Sequence, residues 1–346
     1  MITFVSPKGL RAQVCKSQLL PLYNYVQSNN IACRLLNHHS NDQLINTEIK
    51  YNSLFIYFLS NNISGHVYVR SLFDFFAVFL SRIFSSQKLT IIYDFRGLVS
   101  EESYMRNGSS FKRNILRIME RFVYKNACII HTVSNAFDHY LKNKYPARDV
   151  TIIPCCVGGP PVVRKSKVPE IFKFVYLGSL AQWQHFEETI IYFKKIQESI
   201  NNVNLTVLTS EVTKASEILT KYKISDFTVK TIQYEKVKLE LSNYHFGFLF
   251  RDDTIVNKVA SPIKFLEYIE AGVIPIVTRH VGDFSDIVSK EKVGVIVDLE
   301  NHVIESFNFD LWNENTLARM RKLCKEHTWD IYLNKKLGPN CNYLLK

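Results

Sequence analysis

The stretch Ser261-Pro262-Ile263-Lys264-Phe265-Leu266-Glu267 brings together residue types that could hold a nucleotide. Ser261 suits a helix N-cap, and Pro262 suits the first helical position, where its missing N–H costs nothing. A helix opened there, running to Ala271 with Gly272 as its stop, offers free N–H groups and a positive dipole end to a phosphate. Lys264 lies in the first turn, and Glu267 follows three residues later on the same face. The first could neutralise a phosphate while the second accepts both hydroxyls of a ribose. The same spacing also fits a capped surface helix with one ion pair, and spacing alone does not separate the two.

A second group, Asp94, Arg96 and Gly97, follows a strand-like run ending at Tyr93. Ends of parallel strands are where α/β sheets meet their ligands. Arg70, after the short strand Val67–Val69, is a candidate for the same edge. The turn Ser6-Pro7-Lys8-Gly9 after a strand Ile2–Val5 is a weaker signal, one glycine where a dinucleotide fingerprint needs three. Glu101 and Glu102 read as solvated loop charges, and His131 as a satisfied strand-end histidine. His38, His39 and His185 lack metal-ligand spacing, and no D-x-D triplet occurs, so the chemistry is expected to need no metal. Asp252-Asp253 fit a loop cap.

Positioning such groups is the work of the elements around them. The 346 residues are enough for two ordinary domains, and apolar segments alternate with helical patterns throughout. Strands are expected at Ile2–Val5, Ala32–Leu36, Leu54–Phe58, Val67–Val69, Leu89–Tyr93, Cys128–His131 and Val150–Ile153, then, after a break, at Phe172–Leu177, Leu205–Leu208, Phe227–Thr231, Phe246–Phe250, Ile274–Val277 and Val293–Val297. The break is the run from Gly158 to Pro169, rich in Gly and Pro and carrying Arg164, Lys165 and Lys167. The expected layout is a Rossmann-like domain over 1–157, a linker over 158–169 and a second Rossmann-like domain over 170–346, whose last helices could pack back on the first.

The run Phe250 to Lys264, with Tyr93-Asp94-Phe95-Arg96-Gly97 and Val175-Tyr176-Leu177-Gly178-Ser179, resembles the glycosyltransferases of family 4. The similarity covers most of the chain. It implies an α/β GT-B fold, two Rossmann-like domains facing each other across a cleft, and a retaining transfer from a nucleotide-diphosphate sugar. On this resemblance Gly9, Gly178, Ser179, Arg251, Ser261, Pro262, Ile263, Lys264 and Glu267 contact the donor, while Asp94, Arg96, Arg251 and Lys264 serve the reaction. Glu267 matches the second Glu of the family's paired-Glu signature; the first falls at Val259. The family's basic pair falls at Ser179 and Gln184, neither of them basic, which leaves the diphosphate to Arg251 and Lys264. No cofactor is implied beyond the donor substrate, and uridine, guanosine and thymidine all stay open.

Charge adds a partner. Residues 1–165 hold 20 Lys and Arg against 9 Asp and Glu, so the chain's whole +11 excess lies there. Such asymmetry suits a polyanion. Arg113, Arg117, Arg121 and Lys125 recur every fourth residue on an expected helix Phe111–Asn126, with Ile115, Ile118, Met119, Phe122 and Val123 on an apolar side. The reading is attachment to an anionic membrane surface, in keeping with a glycan or lipid-linked acceptor in surface-polysaccharide assembly. No apolar run is long enough to span a bilayer, and the N-terminus reads as a strand and not as a signal peptide. Seven cysteines without a C-x-x-C pair suit a reducing cytosol, so the protein is expected at the inner face of the cytoplasmic membrane. Two alternatives come from other classes. A sugar-nucleotide epimerase would need more acid/base carboxylates and histidines, and a nucleic-acid-binding protein would interleave aromatics with its charges.

Overall fold

A computed structural model describes residues 1–10, 12–46, 48–61, 63–84, 88–200, 202–299 and 307–337. The chain forms two compact units, one of Met1–Gly158 with the C-terminal segment from Trp329, the other of Gly159–Thr328.

Among the described residues, the first unit is built on seven strands, β1 (Ile2–Ser6), β2 (Cys33–His38), β3 (Ile49–Tyr51), β4 (Gly65–Val69), β5 (Leu89–Asp94), β6 (Ile129–Thr132) and β7 (Thr151–Ile152). Their order is β3-β2-β1-β4-β5-β6-β7, and every pairing is parallel. The direction of winding reverses between β1 and β4, the point at which such sheets open a crevice at their carboxyl ends. All of β1 is buried, as a strand covered by helices on both faces requires. The helical run that follows β1 contains a π-helical turn, Cys15–Leu19, before Leu20–Ser28.

The second unit carries β8 (Phe172–Leu177), β9 (Val203–Leu208), β10 (Phe227–Lys230), β11 (Phe246–Leu249), β12 (Ile274–Thr278) and β13 (Val295–Val297). The order is β10-β9-β8-β11-β12-β13, again parallel throughout, with its reversal between β8 and β11. Phe174, Phe246 and Phe248 stack across neighbouring strands at its centre.

Several elements differ from the sequence expectations. Leu54–Ser60 is a helix rather than a strand. Leu54 and Phe58 are four residues apart and both buried, and the Tyr57 N–H bonds the Ser53 carbonyl at 2.9 Å. A five-residue apolar run does not distinguish helix from strand by its pattern. The edge strand β3 is instead the more polar Ile49–Tyr51. The segment expected as a loop around Glu101 and Glu102 forms the helix Val99–Asn107, closed by left-handed Gly108, and Phe284–Glu291, to which no element was assigned, is also a helix.

The helix over the nucleotide-like motif runs Ile263–Ala271, with Pro262 rather than Ser261 at the cap position and no side-chain cap. Proline's extended ψ of 117° delays the helix by one residue.

The expected linker is not a free connector. Glu270 accepts from the Gly159 N–H at 3.2 Å, Lys238 donates to the Pro160 carbonyl at 2.7 Å, and the Trp312 indole donates to the Lys167 carbonyl at 3.2 Å. The break falls at Gly158, and the segment after it belongs to the second unit. That unit ends at Thr328 rather than at the C-terminus. Helix Trp329–Leu337 packs in the first unit, where Tyr25 donates to Asn334 at 2.7 Å, the Trp329 indole donates to the Ser17 carbonyl at 3.1 Å, and Leu333 and Leu337 join the core around Leu22 and Val26.

Candidate active site

At the reversal point of the second sheet, the ends of β8 and β11 and the start of helix Ile263–Ala271 converge on two cations. Lys264 Nζ donates to Gln184 Oε1 at 2.7 Å, and Arg251 Nη1 donates to the same oxygen at 2.9 Å. Arg251 follows β11 and is only 8% exposed. Its backbone is clamped to the end of β12, the N–H donating to Thr278 Oγ1 at 2.8 Å and the Thr278 hydroxyl donating back to the Arg251 carbonyl at 2.6 Å. Nη1 makes every side-chain hydrogen bond of Arg251 among the described residues, which leaves Nε and Nη2 for a ligand. Lys264 lies 6.0 Å from the Tyr176 ring centre, and its ammonium occupies the space over Gly178. Gly178 holds φ +149°, and a Cβ there would collide with Lys264 Nζ. A glycine ends this strand because a side chain would evict the lysine.

Burial and then the nearby Arg251 pull the Lys264 ammonium down to about 7. Burial pushes the Glu267 carboxyl up to about 7 against the opposing pull of Lys264. No direct ion pair joins Lys264 and Glu267 among the described residues, although the two are electrostatically coupled. Beyond Arg251 lies a cavity of about 410 Å³ whose lining includes Asp252, Thr278, Arg279, His280 and Asp298 but neither Lys264 nor Glu267. Asp252 caps its own loop as expected, accepting from Thr254 and Asn257.

Of the residues proposed from the sequence, Gly178, Arg251, Lys264 and Glu267 come together, with Pro262 and Ile263 opening the helix that carries two of them. Ser261 sits one residue ahead of the cap. Ser179 is exposed, and its carbonyl already accepts from Tyr176 at 2.6 Å. Sequence reasoning did not assign Gln184, which draws both cations together; a neutral residue where a basic one was expected was its only trace.

Gly9, Asp94 and Arg96 belong to the first unit. Gly9 takes φ +73°, and its N–H is donated to Asn41 Oδ1 at 3.1 Å. Asp94 closes β5 with no exposed surface, so its carboxylate meets neighbours rather than solvent. Arg96 Nε lies 2.6 Å and Arg70 Nε 3.3 Å from its Oδ2. Burial acts to raise this carboxyl, and the two guanidiniums override it and hold it below its ordinary value. His131, also fully buried, is pushed down to about 4 by burial and is neutral. Glu101 is no solvated loop charge. It is buried at 7% exposure and paired with Arg113 at 2.8 Å and Arg117 at 2.7 Å.

Among the described residues, no group of three or more His, Cys, Asp or Glu side chains is placed to hold a metal ion, and no helix is long and apolar enough to cross a membrane.

The sequence matches no family model and no curated protein sequence. Solved structures do match the fold. Sucrose-phosphate synthase from Thermosynechococcus elongatus is 14% identical, with 96% of each chain covered and a TM-score of 0.69. Anabaena HepE in complex with UDP is 10% identical over 99% of each chain, at 0.68. A UDP-N-acetylglucosamine 2-epimerase-like protein from Listeria monocytogenes is 11% identical, covering 97% of this chain and 94% of its own, at 0.59. This chain therefore has the α/β fold of the GT-B glycosyltransferases, with parallel sheets of seven and six strands.

Proposed function

We propose that this protein is a retaining glycosyltransferase that moves a sugar from a nucleotide-diphosphate donor to a hydroxyl of a glycan or lipid-linked acceptor. The observation that carries the reading is the pair Lys264 and Arg251, held on one amide oxygen at the end of a glycine-terminated strand. Breaking the sugar–phosphate bond leaves charge on the departing diphosphate, and fixed cations aimed there stabilise the transition state most. Lys264, the free Nε and Nη2 of Arg251, and the uncapped start of helix Ile263–Ala271 supply that stabilisation. Glu267 accepts from the ribose hydroxyls on one side of Lys264, and the cavity beyond Arg251 receives the sugar on the other. The leaving phosphate oxygen takes the acceptor proton on the same face, so neither an enzymic nucleophile nor a metal or cofactor is called for.

The first unit is proposed to rest on an anionic membrane, in keeping with a lipid-linked acceptor and surface-polysaccharide assembly. Helix Ser110–Asn126 turns Phe111 and Ile118 outward, 78% and 70% exposed, while Leu116, Val123 and Tyr124 face the core. The helices Leu54–Ser60 and Leu72–Phe84, which pack on each other, add exposed Ile56, Phe73, Ile83 and Phe84. Exposed apolar side chains set among Lys112, Arg121 and Lys125 suit a lipid interface better than a solvated helix.

The test is a binding screen of UDP-, GDP- and TDP-sugars, followed by analysis of the anomeric configuration of the product made with the preferred donor. Retention supports the reading and inversion overturns it. A free sugar epimerised at C2, without an acceptor, would instead identify an epimerase.

A further inference from the structure

Arg70 and Arg96 present an imbalance of buried charge in the first unit. Their side chains are 6% and 14% exposed, and Asp94 is the one carboxylate paired with either among the described residues. Two guanidiniums against one carboxylate, beside a neutral His131, leave one positive charge without a counterpart in a largely buried place. Both forks are also unfinished. Arg70 spends Nε on Asp94 and Nη2 on Gln18 Oε1 at 2.8 Å, and Arg96 spends Nε on Asp94 and Nη1 on the Ile153 carbonyl at 3.1 Å. Among the described residues, Arg70 Nη1 and Arg96 Nη2, both buried, have no hydrogen-bond partner. An uncompensated buried charge is strongly destabilising, and each unmade bond to a charged donor adds to that cost.

The location is also that of a ligand site. Arg70 follows β4 and Asp94 ends β5, at the carboxyl edge beside the β1/β4 reversal. Gln18, which orients Arg70, is presented by the π-helical turn Cys15–Leu19, a feature that recurs at functional sites.

We propose that Arg70 and Arg96 together bind one anionic group, a phosphate or a carboxylate, carried by the acceptor substrate. Asp94 is the positioning residue that holds the two forks side by side. The word acceptor rests on the transferase reading; the binding of an anion does not. Guanidinium forks match the paired oxygens of either group, and a desolvated site strengthens the interaction.

The experiment is calorimetry on the full chain with UDP at saturation, so that the donor cations are occupied. Inorganic pyrophosphate, glucuronate and neutral methyl glucoside are each titrated in turn. The expected result is one further site for pyrophosphate or glucuronate, and none for methyl glucoside. Pyrophosphate binding alone identifies a phosphorylated acceptor, and glucuronate binding alone an acidic sugar. Arg70→Gln should weaken that site at least tenfold and leave the affinity for UDP alone unchanged, while the milder Arg70→Lys should weaken it less. If the wild-type chain binds neither anion, the proposal is overturned without any variant. It is equally overturned if Arg70→Gln, shown folded by its thermal transition, binds the anion as well as wild type. Should UDP itself fail to bind, the donor reading fails, and the anion titrations are read without it.

Discussion

The ammonium of Lys264 fills the space that a side chain on Gly178 would need. The strand end and the helix start are thus fitted to each other through one missing methyl group. Gly178→Ala should displace the ammonium and lower the affinity for the bound nucleoside diphosphate about tenfold, and Lys264→Ala should do the same, because a hydrogen bond to a charged group is worth roughly 1.5–3 kcal/mol. Arg251→Ala should cost a similar factor. Calorimetry with UDP and GDP checks all three, and unchanged affinities would remove these residues from the diphosphate site.

Glu267 gives a test on the sugar of the nucleotide. A 2′-deoxynucleoside diphosphate should bind more weakly than its ribose counterpart, and Glu267→Ala should erase the difference. A donor carrying thymidine lacks the 2′-hydroxyl and would show only a single contact. A preference for ribose that survives the substitution assigns the contact elsewhere.

The position of Lys264, drawn down to about 7, makes donor binding depend on pH. The protonated form pairs with the diphosphate, so it is present below that value and lost as pH rises through it. Glu267, pushed up to about 7, gains its accepting carboxylate over the same window and opposes this trend. In Glu267→Gln, which removes that carboxyl, affinity for an intact nucleotide sugar, whose diphosphate loses no proton in this range, should therefore fall between pH 6 and 8. Binding by this variant near pH 7 should take up a fraction of a proton, seen as a dependence of the calorimetric heat on buffer. Adding Lys264→Met should flatten the profile. A Glu267→Gln affinity that is level across this window would contradict the assignment.

For the membrane face, the structure changes which residues a test should touch. Arg113 and Arg117 already serve Glu101, so reversing them would disturb folding as well as binding. Lys112, Arg121 and Lys125 are exposed. Vesicles containing phosphatidylglycerol should sediment the protein and phosphatidylcholine vesicles should not, since each cation near an anionic surface contributes on the order of 1 kcal/mol. Salt should weaken the association. Changing Lys112, Arg121 and Lys125 together to Glu should abolish it, and Phe111→Ser with Ile118→Ser should weaken it. Binding indifferent to lipid charge would refute the surface.

Local patterns were enough to read much of this protein. The alternation of apolar strands with amphipathic helices, the Gly-Pro break near residue 158 and the run from Pro262 to Gly272 are short-range features, and each appears close to its expected place. Lys264 and Glu267 share a helix face through spacing alone. The partnership of Lys264 with Gln184, 80 positions away, has no local signature. The same is true of Arg70 and Arg96 meeting on Asp94. That the last helices could return to the first unit is a sequence expectation, but the partners Trp329–Leu337 finds there, Ser17 and Tyr25, have no local signature. Which charges become buried, and therefore which way Lys264 and Glu267 shift, depends on neighbours that only folding brings near. Leu54–Phe58 shows the limit within a single element, where an apolar run took the helix that packing favoured. Phe111 and Ile118 show it across elements. A helix pattern marks residues as apolar, but only the placement of its neighbours decides which of them are left facing out.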